Sequence, residues 1–315
     1  MPSAGPDSYV DAYLHVLRTQ RKVSPHTISS YQLDLAELSR LAQSRELASL
    51  TYLDVRRFTS MQHAAGLSPR TIARKLSCWR GYYRWLAEQI TLPANPVDGI
   101  RAPKKSAPLP KALGVDDAVR LVAQAVAKPS ANDPTLSANR AMFELLYSSG
   151  LRVSELVGLD LSDCTQSTQH GHTSLGWVDL EQAQVHVNGK GNKERIVPVG
   201  KPALAAVRDW LALRPLLLKA DPYPLFLNER GRRISVRSVQ LRLKAHAQSI
   251  DIPANVHPHV LRHSFASHLL QSSGDLRAVQ DMLGHSSIAA TQVYTALDFQ
   301  HLAKVYDATH PRAKK

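Results

Sequence analysis

Cysteine is scarce in this chain of 315 residues, where only Cys78 and Cys164 occur. Two isolated cysteines provide no metal-ligand spacing and no disulfide framework. We therefore expect each to be a small, buried residue in a protein of a reducing compartment. The sequence also lacks a signal-peptide pattern at its N-terminus and an apolar run long enough to span a bilayer. A cytoplasmic location without membrane insertion is the expectation.

Acidic side chains are too few to balance the basic ones, because 26 Asp and Glu stand against 39 Lys and Arg, which gives a net charge of +13. Residues 1–105 carry 15 basic and 8 acidic side chains, and the remainder carries 24 and 18. This spread predicts a polyanionic partner that contacts both halves, nucleic acid before a membrane surface. A basic protein that is merely soluble stays open as the alternative, since charge alone does not exclude it.

The first hundred residues have helical periodicity throughout. Ser24 and Ser68 each provide an N-cap followed by proline at the first helical position, and Thr51 with Asp54 resembles a capping box. The helix after Ser68 has a basic row opposite its apolar stripe, which can follow phosphates or enter a major groove; a solvated basic face is the alternative. The row consists of Arg70, Arg74, Lys75, Arg80 and Arg84. We interpret residues 1–100 as a helical DNA-binding domain.

A segment rich in proline and lysine follows, and its composition is typical of a semi-stiff linker. We place the linker at residues 101–112, between the first domain and a second domain at 113–297. Two basic domains joined by one linker suggest a clamp around a duplex. An amphipathic helix at 298–315 would need a partner surface, either on its own domain or on a neighbouring molecule.

The second domain is predicted to be helical around one small sheet. Helices are expected at 115–127, 137–149 and 202–218, with a loop at 128–136. Alternating and β-branched residues between 176 and 199 predict three antiparallel strands, with Lys190 on a Gly-rich hairpin that lacks the Walker spacing. The fold class is thus mainly α with a small antiparallel β-sheet. A helix capped by Ser235 would direct three more basic side chains toward DNA: Arg237, Arg242 and Lys244.

The histidines of the loop before this sheet carry little functional signal. His170 and His172 lie in a polar loop without a second ligand pair, so we expect solvated histidines there and no metal site.

The richest stretch runs from residue 257 to residue 295. His259 and Arg262 are three residues apart and share one helical face. Asp275 is a good N-cap for the next helix, and Gly284 would end that helix as a left-handed C-cap, so that His285 follows at a corner and Tyr294 lies on the helix beyond. A surface helix with solvated basic residues is the alternative.

Arg152 lies where a helix restarts after Gly150. Backbone N–H groups and the helix dipole favour an anion there, and an arginine can bind a phosphate bidentately. The alternative is an ordinary first-turn arginine paired with a carboxylate such as Glu155.

Six candidates together indicate a narrow class of chemistry. The chain offers no carboxylate cluster for Mg²⁺, so two guanidinium groups would neutralise the charge of a reacting phosphate in its place. No metal or cofactor is expected. The six are Arg152, Lys190, His259, Arg262, His285 and Tyr294.

The motifs SGLRVSEL, GKGNKER, HPHVLRHSFASHLL, DLRAVQDMLGHSSIAATQVYT and the tail DFQHLAKVYDATHPRAK resemble those of the tyrosine recombinase (integrase) family. Within it they look most like the XerC branch of the Xer subfamily. The resemblance implies that Tyr294 attacks the scissile phosphate and forms a 3′-phosphotyrosyl link. It also implies that two arginines hold the non-bridging oxygens, that Lys190 protonates the leaving 5′-oxygen, and that His259 and His285 assist proton transfer and orient the phosphate. The two arginines would be Arg152 and Arg262.

The same resemblance implies an assembly around double-stranded DNA. Two subunits of this kind and two of a XerD-like recombinase would form a heterotetramer at a dif-type site, resolve chromosome dimers without ATP, and respond to a septal DNA translocase. The tail helix would then dock on the neighbouring subunit. Residues 164–176 look like a tolerated surface insertion.

Three other interpretations stay open at this stage. The chain could be a XerD-like or phage-type integrase, or a non-catalytic DNA-binding regulator of the same fold. A type IB topoisomerase uses similar chemistry, but the basic helical first half and the tail helix argue against it.

Overall fold

The computed structural model describes residues 6–104, 112–123, 133–163, 172–188, 194–252, 256–284 and 304–313. The chain divides into two compact units, Met1–Pro108 and Leu109–Lys315, and the division falls inside the predicted linker. Each unit has its own hydrophobic core. Several predicted features lie outside the described residues: Cys164, His170, Lys190, His285 and Tyr294.

The described part of the first unit, residues 6–104, contains four α-helices. They are α1 (Pro6–Thr19), α2 (Pro25–Ala42), α3 (Tyr52–Ala64) and α4 (Pro69–Gln89). The predicted caps are present, because Ser24 and Ser68 accept bonds from backbone N–H groups and Thr51 forms a capping box with Asp54. Cys78 is buried, as expected for a small core residue.

Aromatic side chains from α4 fill the core of the first unit. Trp79 is buried and donates from Nε1 to the Asp34 carbonyl oxygen on α2 at 2.8 Å. Tyr83 is buried and donates to the Leu47 carbonyl oxygen at 2.7 Å. Because both rings also satisfy their polar atoms, they fix α4 against its neighbours as well as filling volume.

The second unit is mainly helical. Its helices are α5 (Val115–Ala123), α6 (Pro134–Ser148), α7 (Val153–Gly158), α8 (Lys201–Leu213), α9 (Val236–Ser249), α10 (Pro258–Ser273) and α11 (Leu276–Leu283). Ser235 and Asp275 are the N-caps of α9 and α11, and Gly284 ends α11 in the left-handed conformation, so these three predictions are confirmed. Among the described residues, no helix is both long and apolar enough to cross a membrane.

Two helix boundaries differ from the prediction. Helix α6 begins at Pro134, inside the expected loop, because Asp133 accepts hydrogen bonds from the N–H groups of Thr135 and Leu136 at 2.8 and 3.2 Å. Helix α8 ends at Leu213 and continues only as a 3₁₀ turn, because Pro215 has no N–H to extend the α-helical ladder.

The sheet has the predicted three antiparallel strands in the order β1-β2-β3. Strand β1 is Gly176–Asp179, β2 is Gln184–Asn188 and β3 is Glu194–Pro198. Val185 pairs with Val178 and Val197, and these side chains form the face that packs on the core. The segment that carries Lys190 joins β2 to β3.

The tail packs against the second unit itself. Residues 304–309 are helical, and Tyr306 is buried in the core of that unit with 1% of its surface exposed. The guanidinium of Arg312 forms a buried ion pair with Glu144 on α6. Of the two partner surfaces left open for this helix, its own domain is therefore the one that buries Tyr306.

Candidate active site

A glycine corner positions the first candidate residue. Gly150 has a φ of +55°, and a Cβ at this position would overlap the ring of Phe265 on α10. Only glycine therefore fits both the left-handed backbone and the close approach of α10. The corner follows the end of α6, and α7 begins three residues later at Val153, with Arg152 as its N-cap residue.

Arg152 makes the first-turn pair that sequence reasoning left open. Its NH1 donates to Glu155 Oε1 at 2.7 Å, and its backbone N–H donates to Glu155 Oε2 at 2.7 Å. Its NH2 also donates to the carbonyl oxygen of Gly284 at 3.2 Å. The side chain is 31% exposed, so its guanidinium can still meet a ligand from solvent.

Arg262 approaches the same carboxylate from α10. It donates from NH1 to the Gly150 carbonyl oxygen and from NH2 to the Leu283 carbonyl oxygen, both at 2.5 Å. Its NH1 lies 4.0 Å from Glu155 Oε2. Burial lowers the pKa of Arg262 to about 10, and the positive charge of Arg152 acts in the same direction. The two arginines predicted to hold a phosphate thus meet around Glu155.

His259 lies one helical turn before Arg262 on α10. It is exposed, and its ring stands edge-on to His257 with centroids 6.1 Å apart. The predicted shared helix of His259 and Arg262 is present. The exposed imidazole of His259 is accessible to a group that arrives from solvent.

Arg195 is a residue of this cluster that sequence reasoning missed. It is 4% exposed and forms a bidentate pair with Glu155, with NH1–Oε1 and NH2–Oε2 distances of 2.8 Å. Its Nε donates to the Met282 carbonyl oxygen at 2.9 Å. The signal was available, because a strand alternates its faces and Arg195 stands two positions before the buried Val197. A charged residue on a core face requires a buried partner.

Glu155 therefore lies at the centre of three arginines. Burial alone would raise the pKa of Glu155, but the pair with Arg195 and the donors of Arg152 outweigh burial and lower this pKa. With the carboxylate ionised, one negative charge meets three positive ones. The excess of positive charge beside the N-terminus of α7 suits a phosphate.

Three candidates lie outside the described residues, and each belongs to a segment that is continuous in sequence with a residue of this cluster. Lys190 lies in the segment that joins β2 to β3, and β3 carries Arg195. His285 directly follows Gly284, whose carbonyl oxygen accepts from Arg152. Tyr294 comes later in the segment that begins at His285.

The predicted DNA-contact row on α4 is only partly exposed. Arg70 and Arg84 are exposed. Arg80 is half-buried and donates from NH2 to the carbonyl oxygens of Val97 and Ile100 at 3.3 and 3.0 Å. Arg80 therefore ties the helix to the chain that follows it, in addition to any contact with DNA.

Two other members of the row lie close to Asp34 on α2, and Arg74 is also exposed to solvent, with 42% of its side-chain surface accessible. Arg74 pairs with the buried carboxylate of Asp34. Lys75 is buried, with 8% exposure, because it lies three residues after Ile72 and four before Trp79 on the core stripe. The expectation that Lys75 belongs to the exposed row is therefore wrong.

The basic residues of α9 divide in the same way. Arg237 and Lys244 are exposed. Arg242 is half-buried, where it donates to Asn139 Oδ1 at 3.2 Å and pairs with Glu229 at 3.3 Å.

His172 is not the solvated loop histidine that was expected. Its Nε2 lies 2.8 Å from Asp160 Oδ2, and its ring stacks on Tyr223 with centroids 4.3 Å apart. Asp160 is buried and also pairs with Arg233 at 2.5 Å. Among the described residues, no group of three or more His, Cys, Asp or Glu side chains could hold a metal ion.

Comparison with known proteins agrees with this arrangement. Residues 112–301 match the phage integrase family, and residues 10–89 match the phage integrase N-terminal SAM-like domain. The chain is 53% identical over 323 residues to tyrosine recombinase XerC 1 of Ralstonia nicotianae, covering 99% of this chain and 96% of that protein. It is 48% identical over 307 residues to tyrosine recombinase XerC of Alcanivorax borkumensis, covering 97% and 94%.

A solved structure of XerH site-specific recombinase bound to palindromic difH substrate has the same fold. Its TM-score is 0.64 at 20% identity, with 95% of this chain and 84% of that one covered. The family matches and the two relatives cover nearly the whole chain. The chain therefore belongs to the phage integrase family of tyrosine recombinases, and its relatives place it in the Xer subfamily.

Proposed function

We propose that Tyr294 is the nucleophile with which this site-specific DNA recombinase cuts and rejoins DNA strands. The observation that carries the proposal is the convergence of Arg152 and Arg262 on Glu155, with the carbonyl oxygen of Gly284 in the same contact network. This network lies at the start of the segment that carries the tyrosine. Metal-free phosphoryl transfer needs this kind of cationic site.

The proposed reaction is a transesterification. The phenol oxygen of Tyr294 bonds to the scissile phosphorus, while the bond from phosphorus to the 5′-oxygen breaks and that oxygen takes a proton from Lys190. A free tyrosine has a pKa near 10, so the phenol needs a proton acceptor, a role that we assign to His259. Arg152 and Arg262 balance the charge on the non-bridging oxygens, and His285 orients the phosphate. The reverse reaction with a new 5′-hydroxyl joins the strands without ATP.

The chain's relatives support the proposal of its partners. XerC relatives cover nearly the full length of the chain, and the XerH structure contains a difH substrate. We infer that this chain acts on a dif-type duplex in a heterotetramer with a XerD-like recombinase, and that it resolves chromosome dimers at the bacterial nucleoid in the cytoplasm. Control by a septal DNA translocase belongs to the same proposal.

A nicked suicide duplex tests the nucleophile. Loss of a short fragment after cleavage prevents religation, so wild-type protein should accumulate as a covalent protein–DNA band on a denaturing gel. Tyr294→Phe lacks only the phenol oxygen and should bind the duplex but form no band. Absence of a band with the wild-type chain and a XerD-like partner would favour the non-catalytic regulator. An undiminished band with Tyr294→Phe would assign the bond to another residue.

The two arginines are tested by separating binding from cleavage. Arg152→Ala and Arg262→Ala should slow covalent-complex formation by roughly 10²- to 10³-fold, the loss seen when one donor to a developing charge is removed. Affinity for the duplex should change much less, because many phosphates contribute to it. Equal losses of binding and cleavage would make both residues ordinary phosphate anchors.

A further inference from the structure

The buried Arg195 has no role in the proposed reaction, although it contacts the centre of the site. NH1 and NH2 of its guanidinium donate to the two oxygens of Glu155, and its Nε donates to the carbonyl oxygen of Met282. A buried guanidinium is costly unless its donors are satisfied. The question is whether Arg195 serves only the stability of the domain or also the placement of the phosphate-binding arginines.

The hydrogen bonds of Glu155 show what Arg195 prevents. Each carboxylate oxygen accepts one bond from Arg195 and one from Arg152, at distances between 2.7 and 2.8 Å. Arg262 is the next cation, at 4.0 Å. Without Arg195, the negative charge of the ionised and buried Glu155 would be neutralised by Arg152 and Arg262 alone. Their charge and donors would then be directed to the carboxylate and away from a bound phosphate.

The end of α11 shows a second task for the same side chain. Three successive carbonyl oxygens of this helix end each accept from a different arginine: Met282 from Arg195 at 2.9 Å, Leu283 from Arg262 at 2.5 Å, and Gly284 from Arg152 at 3.2 Å. The last carbonyls of a helix have no partners within the helix.

Arg195 lies deepest in this group and needs no donor for a ligand. It can therefore fix the end of α11 permanently while the other two arginines turn to a phosphate. A Cβ on Gly284 would lie 3.1 Å from Arg195 Cδ, so the corner before His285 is packed directly on this side chain.

We propose that Arg195 is a positioning residue for strand cleavage. It neutralises Glu155 and holds the end of α11, so that Arg152 and Arg262 stay available to the phosphate and the chain enters the His285–Tyr294 segment from a fixed point. This inference rests on the proposed function. It adds that cleavage depends on a side chain that does not touch DNA.

The test measures single-turnover cleavage of the nicked duplex at saturating protein, together with duplex affinity and thermal stability. Arg195→Met keeps the unbranched apolar stem of the side chain but removes the guanidinium and its charge. We expect cleavage to fall on the order of 10- to 100-fold, as when a supporting partner of a charged site is removed, with duplex affinity changed by less than about 3-fold because the phosphate contacts elsewhere remain. Arg195→Lys keeps the charge without the fork and should give an intermediate rate.

The decisive variant is Glu155→Gln in the Arg195→Met background. If Arg195 acts by neutralising Glu155, removing the carboxylate charge frees Arg152 and Arg262, and cleavage should recover by about 10-fold relative to Arg195→Met. A merely structural role predicts no recovery, because the second substitution restores no packing and no contact with Met282.

Arg214→Lys is the matched control for burial. Arg214 is equally buried, at 4% exposure, and donates to the carbonyl oxygens of Pro222 and Pro224 at 2.7 to 3.1 Å. The Arg214→Lys substitution should lower thermal stability while leaving the cleavage rate of the folded protein unchanged.

Each outcome decides the proposal. Cleavage by Arg195→Met at the wild-type rate, or no recovery on adding Glu155→Gln, overturns it. If Arg195→Met does not fold, the same comparison is made with Arg195→Lys, alone and combined with Glu155→Gln. The proposal is then overturned if Arg195→Lys cleaves at the wild-type rate and adding Glu155→Gln has no effect on that rate. Failure of the proposed function is distinguishable, because then the wild-type chain forms no covalent complex or Tyr294→Phe still forms one.

Discussion

Acidification should loosen the tail of this protein through His310. This side chain is 3% exposed and stacks on Tyr306 with ring centroids 4.8 Å apart. Burial lowers the pKa of His310 to about 3, and the nearby charges of His268 and Arg312 lower it further in the same direction. The docked tail therefore holds a neutral imidazole, whereas an undocked tail holds one with an ordinary pKa of 6.5.

The sign and size of the effect follow from proton linkage. Between about pH 6.5 and pH 3 the undocked tail binds a proton that the docked tail excludes, so docking is strongest above this window and weakens as the pH falls through it. From about pH 7.5 to about pH 5, the opening equilibrium of the tail should rise about 30-fold, which corresponds to about 2 kcal/mol.

Hydrogen exchange of the tail amides measures this equilibrium. The N–H of His310 donates to the Tyr306 carbonyl oxygen at 2.8 Å, so its exchange requires opening. After correction for the intrinsic exchange rate, protection of residues 304–313 should fall about 30-fold over this pH range.

The control is His310→Phe, which keeps an aromatic ring and cannot be protonated. Burial also raises the pKa of Glu144, but Glu144 and His268 are present in both proteins, so the difference between them isolates His310. The same fall in protection in His310→Phe, or no fall in the wild type, would refute the reasoning.

Three further outcomes follow from the structure. Replacing exposed Arg70 and Arg84 by alanine should reduce the slope of log affinity against log salt by about two, one per lost phosphate contact; an unchanged slope would place DNA elsewhere. Gly150→Ala should destabilise the second unit by more than about 2 kcal/mol in denaturant unfolding, because the new Cβ meets the ring of Phe265 and the backbone is left-handed. Gly66→Ala is the control for backbone strain alone, because Gly66 has a φ of +83° and its added Cβ would meet no other atom. Tyr306→Ala should cost about 3–5 kcal/mol in the same measurement if the tail is part of the core, and a loss below about 1 kcal/mol would mean that it is not.

The sequence by itself determined features that depend on neighbouring residues. The caps at Ser24, Ser68 and Ser235 and the left-handed end of α11 at Gly284 require only a few consecutive positions, so their chemistry is readable from the local sequence. The three-stranded sheet and the shared helix of His259 and Arg262 follow from periodicity in the same way.

Only the tertiary structure decided which charges become buried partners. Arg195 is 40 residues from Glu155, and Arg312 is 168 residues from Glu144. Neither separation has a periodic signature, although the buried face of β3 indicated that Arg195 needed a partner.

Lys75 shows the converse on one helix, because its spacing to Ile72 and Trp79 already placed it on the buried stripe of α4. Sequence pattern specifies where an element begins, ends and turns. The choice of ion-pair partners is made by the whole folded domain, where burying a charge is tolerated only if a partner from a distant segment meets it.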